Sequence, residues 1–160
     1  IYPDPVVVLE PMRLYRAVKQ DVPSKYYTVP IGKASIMRPG KALTIITYGS
    51  VTKTVREAVE ESGIDAEILD MRSIFPFDTE AVIKSIKKTG RGIVVHEAPK
   101  TCGFGAEIVA TINEKALDFL EAPILRVCGY DTALPFSKME LDYIPSVSRI
   151  IKAMKKVVDY

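Results

Sequence analysis

With 160 residues, 48% of them hydrophobic, the chain has room for one domain with a substantial core, burying about 68–70% of the surface its unfolded form exposes. Its 22 basic and 20 acidic residues leave a net charge of +2, so no long-range field is available to gather nucleic acid or anionic lipid. No apolar run reaches the ~20 residues that cross a bilayer, and no basic-then-apolar leader precedes Asp4, so no membrane role is expected.

The opening, residues 1–30, carries Pro3, Pro5, Pro11, Pro23 and Pro30 around one apolar run, Val6 to Leu9. Proline at that density blocks helix and sheet pairing, so the segment reads as an extended linker arm with one short strand. It begins at Ile1 in mid-pattern, as a piece of a longer protein would. Residues 31–160 form the domain proper. Lys33 to Met37 suits an edge strand, and after the turn at Arg38, Pro39 and Gly40 the β-branched run Leu43 to Thr47 suits a buried one.

Ser50 is placed as the N-cap of a helix with Val51, Val55, Ala58 and Val59 on one face and Gly63 at its end. Ala66 to Asp70 is the next strand. Asp78 is placed to cap a helix with Val82, Ile83 and Ile86 inward, lysines in its last turn and Gly90 beyond. Gly92 to His96 is a third buried strand, and a helix from about Ala106 buries Ile108, Val109 and Ile112. Ile124 to Cys128 is a fourth buried strand, and Ser146 opens a final helix with Val147, Ile150, Ile151 and Met154 inward. Strands alternating with such helices predict a three-layer α/β/α domain around a parallel or mostly parallel sheet of four or five strands. The lysines at 84, 87, 88, 152, 155 and 156 fall where they complement helix dipoles.

The chemistry-bearing residues are few. Cys102 and Cys128 cannot form a C-x-x-C pair or a disulfide framework, which points to reduced thiols in a cytoplasmic protein. One histidine and two separated cysteines do not make a zinc tetrad, and no Walker, EF-hand or nucleophile-elbow spacing occurs. Gly103, Phe104 and Gly105 mimic a dinucleotide fingerprint, but Ile108 takes the place of its third glycine and residues 99–102 separate it from the strand, so a close helix turn is the better reading. His96 and Glu97 end a strand at the sheet's carboxyl edge, where working residues gather, yet adjacent residues point to opposite faces and cannot easily pair. Their reading stays open between a hydrogen-bonded support and an acid–base role.

Arg72, beside Asp70 and Pro76, suits a structural or interfacial ion pair better than a substrate clamp. The loop holding Tyr130, Asp131, Thr132, Pro135, Phe136 and Tyr143 is rich in aromatics and prolines, as protein contacts are. The chain ends on Asp159 and Tyr160, an acidic and apolar tip beside Val157 and Val158 that suits a basic partner.

Three motifs taken together, DMRSIFPFD at 70–78, VVHEAPKTCGFGAEI at 94–108 and RVCGYDTALP at 126–135, resemble the C-terminal domain of the beta subunit of thiamine-diphosphate-dependent 2-oxoacid dehydrogenases. Their wording is nearest the branched-chain type, and the resemblance runs over nearly the whole chain. It implies a transketolase C-terminal-like domain with five strands, one antiparallel, preceded in the intact subunit by a pyrimidine-binding half from which residues 1–30 lead.

The resemblance also implies an intact enzyme that oxidatively decarboxylates a 2-oxoacid with thiamine diphosphate and magnesium and passes the acyl group to lipoyl arms. Its partners are an alpha subunit, a second beta subunit and a lipoyl acyltransferase core. For this piece it implies subunit contact through Arg72, His96, Glu97, the 103–105 turn, the 130–136 loop and Asp159 with Tyr160, no catalytic or metal residue, and no bound cofactor. Two alternatives remain: the corresponding domain of another transketolase-like enzyme, and a free-standing small-molecule binding module.

Overall fold

The computed structural model describes residues 3–19, 21–135 and 137–160. Strands β1 (Ser35–Arg38), β2 (Leu43–Thr47), β3 (Ala66–Asp70), β4 (Gly92–Pro99) and β5 (Leu125–Gly129) alternate with helices α1 (Val51–Ser62), α2 (Thr79–Thr89) and α3 (Gly105–Ala116). A short helix α4 (Glu140–Tyr143) and a final helix α5 (Val147–Val158) follow. The sheet order is β1-β3-β2-β4-β5, with every pair parallel except β1 against β3. The predicted architecture is thus the observed one, including a single antiparallel strand, which lies at an edge and changes register between Ile36 and Arg38.

All five residues of β2 are buried, as the central strand of a sheet covered on both faces requires. Alternation then divides its side chains between two cores. Leu43 and Ile45 join Val55, Val59, Ile68, Ile93, Ile150 and Met154 beneath α1 and α5. Ile46 joins Leu69, Val82, Ile86, Val94, Ile108 and Ile112 beneath α2 and α3. Each fully buried aliphatic side chain contributes about 1.5–3 kcal/mol relative to exposure, so these two layers hold the fold.

The expected N-caps are observed in two cases of three. Asp78 accepts from the Ala81 N–H at 3.1 Å, and Ser146 accepts from the Arg149 N–H at 3.3 Å. Gly63 and Gly90 close α1 and α2 at φ of +67° and +64°, a conformation side chains resist. Ser50 departs from expectation: it precedes α1 but caps nothing, because its hydroxyl turns to Glu97.

The arm differs from expectation too. Residues 6–9 form no strand and have no sheet partner among the described residues, and the first helical structure is a 3-10 turn at Met12–Leu14. Pro3, Pro5 and Pro11 leave too few donors for a ladder.

Two buried polar groups escaped the sequence reading. Glu67, facing α2 from β3, is 1% exposed and satisfied by Ser85 Oγ at 2.6 Å and by Lys88 Nζ. Thr44 Oγ1 lies 2.9 Å from Thr89 Oγ1 and donates to the Ser85 carbonyl at 3.2 Å. Lys88, expected to serve the helix dipole, serves a buried carboxylate as well.

Candidate functional site

The loops after β2, β4 and β5 all emerge at the carboxyl edge, where open α/β sheets place their working residues. His96 is the centre of this cluster. It is fully buried; its Nε2 accepts from the Gly105 N–H at 3.2 Å and faces Cys128 Sγ at 3.4 Å. A bond accepted at Nε2 assigns the proton of the neutral ring to Nδ1. Burial, aided by the Arg126 guanidinium, holds its pKa below the ordinary imidazole value, and burial pushes the Cys128 thiol up. The pair is therefore two neutral groups in contact. That arrangement suits packing, whereas an activated thiol needs a depressed pKa.

Tyr48, which sequence reading passed over, stacks on His96 with ring centroids 5.7 Å apart and planes 14° from parallel. Phe104 meets Tyr48 edge-on at 6.1 Å and Phe77 at 5.5 Å, within the range where aromatic pairs attract. Burial, with Cys128 and Glu97 adding to it, pushes the Tyr48 hydroxyl up to about 12. The available signal was position alone, since Tyr48 directly follows the fully buried strand β2.

The two glycines of the 103–105 turn now have a cause. A Cβ at Gly105 would run into the His96 ring, and one at Gly103 would strike the Pro99 carbonyl and the same ring. The close turn read from the sequence is thus a close approach of backbone to imidazole. His96, Gly103 and Gly105 are buried and Phe104 half-buried. These residues support the surface from beneath and do not form it.

Glu97 points the other way, as adjacent strand residues must. One of its oxygens accepts from Ser50 Oγ and from Arg13 Nη1, the latter at 3.2 Å. The loops after β4 and β5 are tied together: the Asp131 carboxylate accepts from the Thr101 N–H and hydroxyl, each at 2.8 Å, and Arg126 donates to the Lys100 carbonyl at 2.8 Å. The Thr101 bonds hold Asp131 below the usual carboxylate range. Above this tie Tyr130 is half-exposed with the Arg149 guanidinium 4.4 Å over its ring, Thr132 is exposed and Pro135 half-buried. Phe136 lies outside the described residues. Tyr143, expected on the same surface, is instead 6% exposed and packs against Gly129, whose missing Cβ makes room for its ring.

Among the described residues Arg72 has no ion-pair partner. It is exposed, and its guanidinium donates to the Lys33 and Ala34 carbonyls at 3.0 and 3.2 Å while its own N–H reaches Asp70 Oδ1 at 3.1 Å. Because β1 pairs with β3 at Ser35 and Asp70, the backbone carbonyls just before β1 lie within reach of Arg72, just past the end of β3. Asp159 and Tyr160 lie elsewhere again. Helix α5 starts at the carboxyl edge, where Arg149 reaches the Cys128 carbonyl, and its 12 residues carry the chain end about 18 Å away. Val157 belongs to the core and leaves only Asp159 and Tyr160 exposed. Among the described residues no three His, Cys, Asp or Glu side chains converge to hold a metal ion, and no helix is long and apolar enough to cross a membrane.

Comparison with known proteins places this geometry. The chain is 44% identical to the 2-oxoisovalerate dehydrogenase subunit beta of Pseudomonas aeruginosa over 172 residues, and 44% identical to the pyruvate dehydrogenase E1 component subunit beta of Bacillus subtilis over 160 residues. Each alignment covers 98% of this chain and 49% of the relative, so the chain spans about half the length of the curated relatives it matches. The mitochondrial 2-oxoisovalerate dehydrogenase subunit beta of Dictyostelium discoideum is 45% identical, with 98% and 43% covered. Among solved structures, a split-gene transketolase described as an inactive beta4 tetramer superposes with a TM-score of 0.72 at 24% identity, covering 88% of this chain and 46% of that one, a likeness of fold. The family described as transketolase, C-terminal domain, matches residues 32–150, and the chain belongs to it.

Proposed function

We propose that this chain is the assembly and subunit-contact domain of the beta subunit of a 2-oxoacid dehydrogenase, an oxidoreductase of cytoplasmic multienzyme complexes. The observation that carries the reading is identity of 44% with two such beta subunits along 98% of the chain, arm included. Because a 2-oxoisovalerate and a pyruvate enzyme match equally well, the substrate is proposed only as a 2-oxoacid. In this reading residues 1–30 lead from a preceding pyrimidine-binding half, and residues 31–160 dock an alpha subunit, a second beta subunit and the lipoyl acyltransferase core.

Thiamine diphosphate and magnesium belong to the intact enzyme. Among the described residues no three His, Cys, Asp or Glu side chains converge on a metal ion, and the cofactor is assigned to the other parts of the intact enzyme. The role left to the domain is to hold two loops in fixed relation at the carboxyl edge. The Asp131–Thr101 tie and the His96 packing beneath it supply that rigidity, and Tyr130 and Thr132 supply a contact surface. Aromatic residues over a rigid base are the usual anchors of an interface.

The test is made in the intact beta subunit co-produced with its alpha partner. Tyr130→Ala and Asp131→Ala should lower the fraction of assembled enzyme in analytical ultracentrifugation, with activity per assembled particle preserved. Full assembly in both variants would remove the proposal. Deleting Asp159 and Tyr160 separately probes the docking of the acyltransferase core, with decarboxylation measured by an artificial electron acceptor as the unaffected control.

A further inference from the structure

An open α/β sheet forms a crevice at the point where its strand order reverses, and ligands of such folds bind there. In this chain the crevice lies between β2 and β4: α1 follows β2 onto one face and α3 follows β4 onto the other. It contains the Glu97 carboxylate and the Ser50 hydroxyl, and the remaining donor is Arg13 from the arm, 84 residues away in sequence.

More than charge holds the arm at this place. Val7, Val8, Leu9 and Met12 are 74–84% exposed, yet Leu14, one residue beyond Arg13, is half-buried. Leu14 and Val18 wall one side of a cleft of about 440 Å³ that runs along α1 from Glu60 to Ser50, with Met37 and Asp70 on its far side, and so ends next to the Ser50–Glu97 contact. The 3-10 turn at Met12–Leu14 presents Arg13 and Leu14 to the domain together. The same stretch thus supplies an apolar contact and a cation at one end of the sheet.

We propose that the crevice is a guanidinium site whose ligand is the chain's own arm. Arg13 fills the place where the fold would otherwise take a small molecule, and it sets the direction in which residues 3–12 leave the sheet. A guanidinium suits the place because it donates in a fixed plane, here from Nη1 to the same Glu97 oxygen that the Ser50 hydroxyl holds, where an ammonium would present only a point charge. The inference is independent of which 2-oxoacid enzyme the chain serves.

Hydrogen exchange read by mass spectrometry or NMR on the full chain tests it. The amides of Leu14, Tyr15 and Ala17, which donate to Pro11, Met12 and Leu14 carbonyls, report on docking of the arm. Arg13→Ala and Glu97→Gln should each speed their exchange about two- to fivefold, the range for a half-exposed ion pair, while Ile46 and Val94 amides keep their protection. The double variant should add nothing further, as coupled partners do not. Unchanged exchange in Arg13→Ala overturns the proposal, and so do additive effects in the double variant. Should Glu97→Gln disturb the sheet, Arg13→Ala decides alone, because Arg13 lies outside the core.

Discussion

Two stretches of this chain are rich in apolar and aromatic side chains, the arm at residues 3–30 and the cluster around the carboxyl ends of β4 and β5, and the structure treats them in opposite ways. In the cluster Tyr48, Phe104 and Phe77 close around a fully buried histidine, and glycines yield space so that backbone can touch its ring. In the arm Val7, Val8, Leu9 and Met12 lie 74–84% exposed. The difference is one of partners: the cluster sits on a sheet that offers two covered faces, whereas prolines deny the arm any ladder of its own. Exposed apolar segments of this length mark contact with another surface, which agrees with the proposed place of the arm between two halves of a longer subunit.

The sharpest way to break this contrast is substitution in the core beside the cluster. Ile46→Ala should cost about 2–5 kcal/mol, the range for deleting a buried aliphatic branch, measured as a lower urea midpoint at unchanged m. Gly105→Ala comes next. Its new methyl would meet the His96 ring, and overpacking of that kind costs about 1–3 kcal/mol; a variant of native stability would show that the turn can retreat. A third effect is on pH dependence. Folded His96 is held below its ordinary pKa of 6.5, so below that pH the unfolded chain takes up a proton that the folded chain refuses. Stability should therefore fall as pH drops under about 6.5, by at most about 1.4 kcal/mol per unit from this group. His96→Gln should remove that part of the slope in a series of denaturation curves. The smallest effect belongs to the arm. Val8→Ala should change stability by less than about 0.5 kcal/mol, and a larger loss would mean that the arm is packed in solution.

Sequence patterns made the fold legible because periodicity and caps are local. The buried strands at Leu43–Thr47 and Ala66–Asp70 and the capping roles of Asp78 and Ser146 need only neighbours in sequence. The destinations of hydrogen bonds are not local. Ser50 looks like a cap and serves Glu97, Arg72 looks like an ion pair and serves two carbonyls, and Glu67 sits in a strand pattern that gives no sign of Lys88 above it. Of the predicted contact residues, the structure gathers those after β4 and β5 at one edge and puts Asp159 and Tyr160 at the far end of α5. Tyr143 was misplaced because its burial depends on the glycine at 129, fourteen positions earlier.

The antiparallel edge strand has a consequence for solubility. An open sheet margin is a template on which another copy can stack its own backbone, the first step toward fibrils. Here β1 is only four residues long, carries Arg38, is followed by Pro39 and slips register within its length. Each of these features spoils the straight row of donors and acceptors that such stacking needs. On this side of the sheet the margin is therefore a poor template for another copy, even though Ile36 and Met37 lie partly open to solvent.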